Sequence, residues 1–129
     1  MAIERITAAG MGTPAGHYVH ATVACGLVHV SGQLPRDAAG SITPDAPFAE
    51  QAEVALGNLL TILAAAGCGP ADVVKLNAYI VGIDHWPGFN AVMARMFGDA
   101  RPARAVIPVP ELHHGWLVEV DAVAAQPTK

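Results

Sequence analysis

The segment 48–66 constrains the chain most. Within it Ala52, Ala55, Leu56, Leu59, Leu60 and Leu63 recur at helical spacing, which places their side chains along one face. Asp45 or Pro47 can open this helix, and Gly67 can close it in the left-handed conformation. An apolar stripe of that length needs a partner surface, and the next segment supplies one. Across 73–81 the period drops to two, with Val74, Leu76, Ala78 and Ile80 on one face and Lys75, Asn77, Tyr79 and Val81 on the other, the pattern of a β-strand. A second helix is expected over 86–97, with Phe89, Val92, Met93 and Met96 on one side, Asp84 as cap and Gly98 as stop.

The rest reads as strands and loops. Residues 3–7 form a short strand and 8–16 a Gly/Pro/Ala loop. The β-rich runs 18–24 and 27–31 are separated by Cys25-Gly26, a hairpin signal. Segment 34–47 carries Pro35, Asp37, Gly40, Pro44 and Pro47 and is a loop. Segments 104–109 and 117–125 are strands joined by 110–115. The order β-β-β-α-β-α-β-β predicts an α+β fold spanning residues 1–129 as one domain, a mixed sheet with both helices on one face.

Composition excludes several classes. Seven basic and eleven acidic residues give a net charge of -4, and no Lys/Arg run occurs. Neither nucleic acid nor an anionic membrane is an expected partner. With 53% hydrophobic and only 14% charged residues, part of the apolar excess is expected to be buried between identical subunits. The N-terminus has no apolar signal core, and the longest apolar stretch, 59–69, is too short to span a bilayer. Cys25 and Cys68 are isolated and are read as small buried hydrophobes in a reducing cytoplasm.

The candidate chemistry is sparse. Gly10-Met11-Gly12-Thr13-Pro14-Ala15 matches a relaxed dinucleotide fingerprint, but a strand follows it and Pro14 removes a backbone donor, so nucleotide binding is not expected. His17 and His20 are three apart in an expected strand and point to opposite faces. His113 and His114 are adjacent in a loop, and no metal-ligand spacing exists. Ser31, at the end of a β-run, serves either a site or a backbone hydrogen bond. Glu119 and Asp121 share one face of the last strand, either as an exposed polar face or as carboxylates able to activate water. Arg104 enters the apolar run Ala105-Val106-Ile107 and needs an anionic partner. That partner is either a ligand carboxylate, which suits its planar fork, or a structural pair with Glu119 or Asp121.

Taken in order, Gly16-x-Tyr18, Val30-Ser31-Gly32-Gln33-Leu34-Pro35, Glu50-Gln51, Ala65-Ala66-Gly67, Asp72-Val73-Val74-Lys75, Phe89-Asn90, Phe97-Gly98, Pro102-Ala103-Arg104 and Val118-Glu119-Val120-x-Ala122-Val123-Ala124 resemble the Rid family of imine/enamine deaminases, also called YjgF-like. The resemblance covers residues 18–124. It implies a chorismate-mutase-like fold, a homotrimer with ligand clefts between subunits, and cofactor-independent hydrolysis of 2-imino acids and their enamine tautomers to 2-keto acids and ammonia. It also implies residue roles. Arg104 clamps the substrate carboxylate, and Glu119 lies near the attacking water. Ser31 and the backbone at Gly32 position substrate or water. Tyr18 assists proton transfer, and Asn90 and Val106 line the pocket. No metal is implied.

The chain departs from the family pattern at Val106, where a cysteine is usual, at His17, at Pro108 and Pro110, and at the His113-His114 rim. These changes fit a second reading, a non-enzymatic trimer that binds small carboxylates, regulates or acts as a holdase. A ribonuclease, a label the family sometimes carries, fits least with a net charge of -4.

Overall fold

The computed structural model describes residues 2–127. Its elements are β1 (Glu4–Ile6), β2 (Ala21–Ala24), β3 (Leu27–Gln33), α1 (Phe48–Ala65), β4 (Val73–Ile80), α2 (Trp86–Phe97), β5 (Ala103–Pro108) and β6 (Val118–Ala125). They give an α+β fold with one six-stranded sheet in the order β1-β2-β3-β6-β4-β5. Every neighbouring pair is antiparallel except β4 and β5, so the sheet is mixed.

The strands alternate as their side chains require. Val28 and Val30 of β3, Leu76, Ala78 and Ile80 of β4, and Val118, Val120, Ala122 and Ala124 of β6 are buried on one face. The apolar stripe of α1 packs there through Leu56, Leu59, Ile62 and Leu63, joined by Phe89, Val92 and Met93 of α2. Each large aliphatic or aromatic side chain so buried contributes about 1.5–3 kcal/mol. Among the described residues no helix is long and apolar enough to cross a membrane.

Local chemistry sets the element ends. Cys25 and Gly26 take φ of 53° and 75° between Ala24 and Leu27, the left-handed pair that a two-residue hairpin turn requires. Cys25 is therefore exposed at the turn, contrary to the expected burial of both cysteines, whereas Cys68 is buried. Pro47 precedes α1 and Gly67 follows it at φ 78°, where the Gly67 and Cys68 amides bond back to Ala64 and Leu63.

Three further expectations need correction. Residues 18–20 are loop, because the Tyr18 amide bonds to Gly16 and the His20 ring to Ala8, and β2 begins only at Ala21. Val74 is 49% exposed while Val73 is buried. An irregularity in the β4–β6 register between Val73 and Lys75 puts consecutive residues out of alternation there. Asp84 forms no cap; α2 is entered through the short turn Ile83–His85, whose His85 ring stacks on Phe48 at 4.2 Å.

Candidate functional site

The sheet divides the site residues between its two faces. Glu119 alternates with buried Val118 and Val120 and pairs with Tyr79, so it points away from the helices. There it lines a cavity of about 770 Å³ with Tyr18, Ser31, Gly32, Arg36 and His113. Arg104 pairs with Leu76 and Val106 with Ala78, both on the helix-covered side. Arg104 Nη1 donates to Asn90 Oδ1 of α2 at 2.9 Å, lies 3.5 Å from Met93 Sδ, and its guanidinium sits 5.4 Å from the Trp86 ring centroid. Arg104, Asn90 and Met93 line a second cavity of about 560 Å³. Arg104 thus forms no pair with Glu119 or Asp121, and the structural-pair alternative is set aside.

Around Glu119 the geometry is close. A Cβ at Gly32 would lie 2.9 Å from Glu119 Oε2 and 3.1 Å from its Cδ, so a side chain there would displace the carboxylate. Ser31 Oγ donates to the Val19 carbonyl at 2.6 Å, which leaves the hydroxyl oxygen as an acceptor on the cavity wall. Both uses foreseen for Ser31 are therefore compatible. The Tyr18 hydroxyl accepts from the Ala15 amide at 3.3 Å, and the side chain is exposed. Burial, and then the neighbouring Asp121, push the Glu119 carboxyl above its ordinary range, while His113 pulls it down.

Asp121 shares that face, but its oxygens are occupied. Asn77 Nδ2 donates to Oδ1 at 2.9 Å and the Tyr79 hydroxyl to Oδ2 at 3.1 Å. No described side chain hydrogen-bonds Glu119. Of the two carboxylates, Glu119 alone presents unoccupied oxygens to the cavity, so it can accept a proton from a bound water.

The histidines are dispersed. His20 is buried, and its Nδ1 accepts the Ala8 amide at 2.9 Å, while His17 is exposed; both precede β2 rather than lying in it. His113 and His114 form a turn with rings 5.4 Å apart, His114 at φ 60°, and both face the Glu119 cavity. Among the described residues no group of three His, Cys, Asp or Glu side chains is placed to hold a metal ion. Gly10 and Gly12, at φ 81° and 79°, lie in a loop leading toward β2, and no helix N-terminus is there for a pyrophosphate.

Three positions escaped the sequence reading. Trp86 and Met93 flank Arg104; Met93 was visible only as a core residue of a helical stripe. Arg36 reaches the Glu119 cavity from a loop, where no periodicity marks it.

The comparisons bear on the family and the fold. The family model for Endoribonuclease L-PSP matches residues 10–126. A Bos taurus protein named 2-iminobutanoate/2-iminopropanoate deaminase is 38% identical over 112 residues, covering 86% of this chain and 81% of its own length. Protein HMF1 of Saccharomyces cerevisiae is 33% identical over 117 residues, 87% of this chain and 86% of its own. Among solved structures, yeast YEO7 superposes with a TM-score of 0.92 at 28% identity, covering 98% of this chain and 100% of that one. Escherichia coli TdcF with bound serine gives 0.89 at 26% identity, covering 96% and 99%. With motifs, sheet order and relatives in agreement over most of its length, the chain belongs to the Endoribonuclease L-PSP family, the Rid or YjgF-like proteins.

Proposed function

We propose that this protein hydrolyses 2-imino acids to 2-keto acids and ammonia, in clefts formed between subunits of a homotrimer. The observation that carries the reading is the division of the site: a carboxylate-binding cation, Arg104, on one face and a carboxylate free to accept a proton, Glu119, on the other. Neither half is sufficient for the chemistry, and an edge-to-face association of subunits would unite them. Strand β5, which carries Arg104, is an edge strand with one unpaired side. The face bearing Glu119 is not covered by helices and carries exposed or half-buried Ile107, Ala105, Val123 and Leu27, an apolar surface suited to self-association.

In the united cleft Arg104 holds the substrate carboxylate bidentately, its guanidinium already oriented by Asn90 and Trp86. Glu119 accepts a proton from water as the water oxygen bonds to the imine carbon. As the C–O bond forms the C=N π pair moves to nitrogen, and Glu119 returns its proton there to give the carbinolamine. The carbinol hydroxyl then passes its proton through Glu119 to the amine while the C=O bond forms and the C–N bond breaks. Ammonia leaves with the bonding pair, so atoms and charge balance. The elevated carboxyl of Glu119 is matched to both steps. Tyr18 assists the proton transfers, and Ser31 with the Gly32 backbone positions the water. Val106 packs against the core and lines neither cavity; it stands where a thiol is usual in the family, so no thiol step is assigned. The imino acid fits the bovine relative's name. The cytoplasm, where pyridoxal-phosphate enzymes release such imines, is the proposed location.

The test generates 2-iminopropanoate or 2-iminobutanoate in situ with an amino-acid oxidase and traps remaining imine with semicarbazide. Wild type is expected to suppress semicarbazone formation, and Arg104→Ala is not. If wild type suppresses none across several imino acids, the reading fails and a carboxylate-binding trimer replaces it.

A further inference from the structure

The Glu119 cavity contains a cation that the hydrolysis described above does not use. Arg36 lines the same wall system as Tyr18, Ser31 and Glu119, and the backbone beneath it is held firmly. Asn58 of α1 donates from one amide nitrogen to the carbonyls of Leu34 at 3.0 Å and Arg36 at 2.8 Å. Pro35 between them is fully buried. The segment is thus anchored to the core although its arginine is exposed. A half-buried helix asparagine is committed to two carbonyls of one loop, which restricts where the guanidinium can reach.

The guanidinium itself is unclaimed. The neighbouring Asp37 is turned toward Ser41, whose amide donates to Oδ1 at 2.8 Å and whose hydroxyl donates to Oδ2. These bonds hold the Asp37 carboxyl below its ordinary range. The ion pair formed among the described residues is Arg95–Glu53, remote in sequence from this loop, and no described carboxylate lies within ion-pair distance of Arg36. An arginine on an anchored loop, facing a cavity and lacking an internal anion, is arranged for an external one.

We propose that Arg36 makes this site selective for 2-imino acids that carry a second acidic group on the side chain, the imines of acidic amino acids. The proposal rests on the deaminase reading and deepens it. The α-carboxylate goes to Arg104 of the neighbouring subunit, the imine carbon lies at Glu119, and the distal carboxylate reaches Arg36. The cavity lined by Arg36 and Glu119 is about 770 Å³ before a neighbouring subunit adds its wall, within the range of ligand pockets. His113 and His114 line the same cavity and offer ring N–H donors to that end of the ligand. The distal group cannot bind near Glu119 itself, where two carboxylates would repel.

The experiment compares 2-iminosuccinate and 2-iminoglutarate with 2-iminobutanoate, each generated by the matching amino-acid oxidase, for wild type, Arg36→Ala and Arg36→Glu. The ratio of kcat/KM for diacid over monoacid is expected to be about tenfold or more in wild type. It is expected to fall by about tenfold to a hundredfold in Arg36→Ala, and further in Arg36→Glu, in keeping with loss of one charge-assisted pair. Arg36 is exposed, so neither variant threatens folding. If wild type hydrolyses 2-iminobutanoate as well as the diacids, or if the ratio is unmoved in Arg36→Ala, the selectivity proposal is overturned and the deaminase reading survives. A second arm measures binding of 2-oxoglutarate and 2-oxobutanoate, which cannot be deaminated. If no imine is hydrolysed by wild type, the deaminase reading falls. Tighter Arg36-dependent binding of 2-oxoglutarate then still supports the distal-anion site, and its absence overturns that too.

Discussion

Gly32 and Glu119 are packed so closely that a single added carbon at Gly32 would lie 2.9 Å from the Glu119 carboxylate oxygen. The carboxylate is the mobile end of a side chain, so the fold can yield to such a carbon by moving the carboxylate away from its place in the cavity. Gly32→Ala is therefore expected to lower kcat by about 10- to 100-fold while changing the unfolding midpoint little. Thermal unfolding beside steady-state kinetics separates the two effects. Equal losses in both would mean that Gly32 serves the strand rather than the site.

Glu119 itself gives a prediction with a sign. Its folded-state carboxyl lies above the ordinary range through burial and Asp121. A group so raised favours folding below its unfolded pKa, and that contribution is lost as pH rises through the folded value. Glu119→Gln removes the cost of holding this charge, so the variant gains stability relative to wild type on going from acid to neutral pH. Activity moves the opposite way, with kcat falling by about 10²- to 10⁴-fold. Paired melting curves across pH check the first claim and imine kinetics the second; a stability difference that shrinks toward neutral pH would contradict the electrostatic account.

His20 behaves in the reverse sense. Burial lowers its pKa, and its Nδ1 must be unprotonated to accept the Ala8 amide. A lowered folded value stabilises the protein above the unfolded histidine pKa and is lost as pH falls through the folded value. Acidification is expected to expose the Ala8 amide to hydrogen exchange, and His20→Asn, with a side-chain acceptor that does not titrate in this range, to flatten that dependence. Unchanged exchange at Ala8 across the same range would refute the role.

Gln51 is fully buried yet satisfied at three points: its amide nitrogen donates to the Pro44 and Ala46 carbonyls, and its oxygen accepts the Leu117 amide. It ties α1 to the loop before it and to the entry of β6, which carries Glu119. Gln51→Leu keeps the volume but orphans those groups, and a cost of about 2–4 kcal/mol is expected in denaturant unfolding. A loss below about 0.5 kcal/mol would show that water replaces the amide.

How much of this was legible in the sequence follows from which interactions are local. The stripe of Leu56, Leu59 and Leu63 and the alternation of Leu76, Ala78 and Ile80 announce a helix and a strand, because each residue repeats a periodic environment. The Cys25-Gly26 turn is likewise local. Val74 was misplaced because its outward turn depends on how β4 is registered against β6, a strand far along the chain. Residues 18–20 were read as strand because their apolar pattern is β-like, whereas their partners, Ala8 and Gly16, lie in a loop without periodicity. The site shows the same limit. Arg104, Glu119 and Ser31 stood out by residue type and motif, but their separation onto two faces is a property of sheet order. Arg36 was invisible because what fixes it is an asparagine 22 residues away.

The separation of Arg104 from Glu119 yields a test of the assembly itself. Arg104→Ala and Glu119→Gln each disable one half of every cleft in a homotrimer. If one subunit supplies Arg104 and its neighbour Glu119, mixed trimers contain clefts where an intact Arg104 meets an intact Glu119. Random mixing of equal amounts makes about one cleft in four intact, so co-refolding the two inactive variants is expected to restore about a quarter of wild-type activity. Mixing without subunit exchange restores none, and sedimentation equilibrium identifies the species present. Should co-refolded trimers stay inactive, both halves would have to come from one subunit, which the opposite orientations of Arg104 and Glu119 on the sheet do not allow without rearrangement.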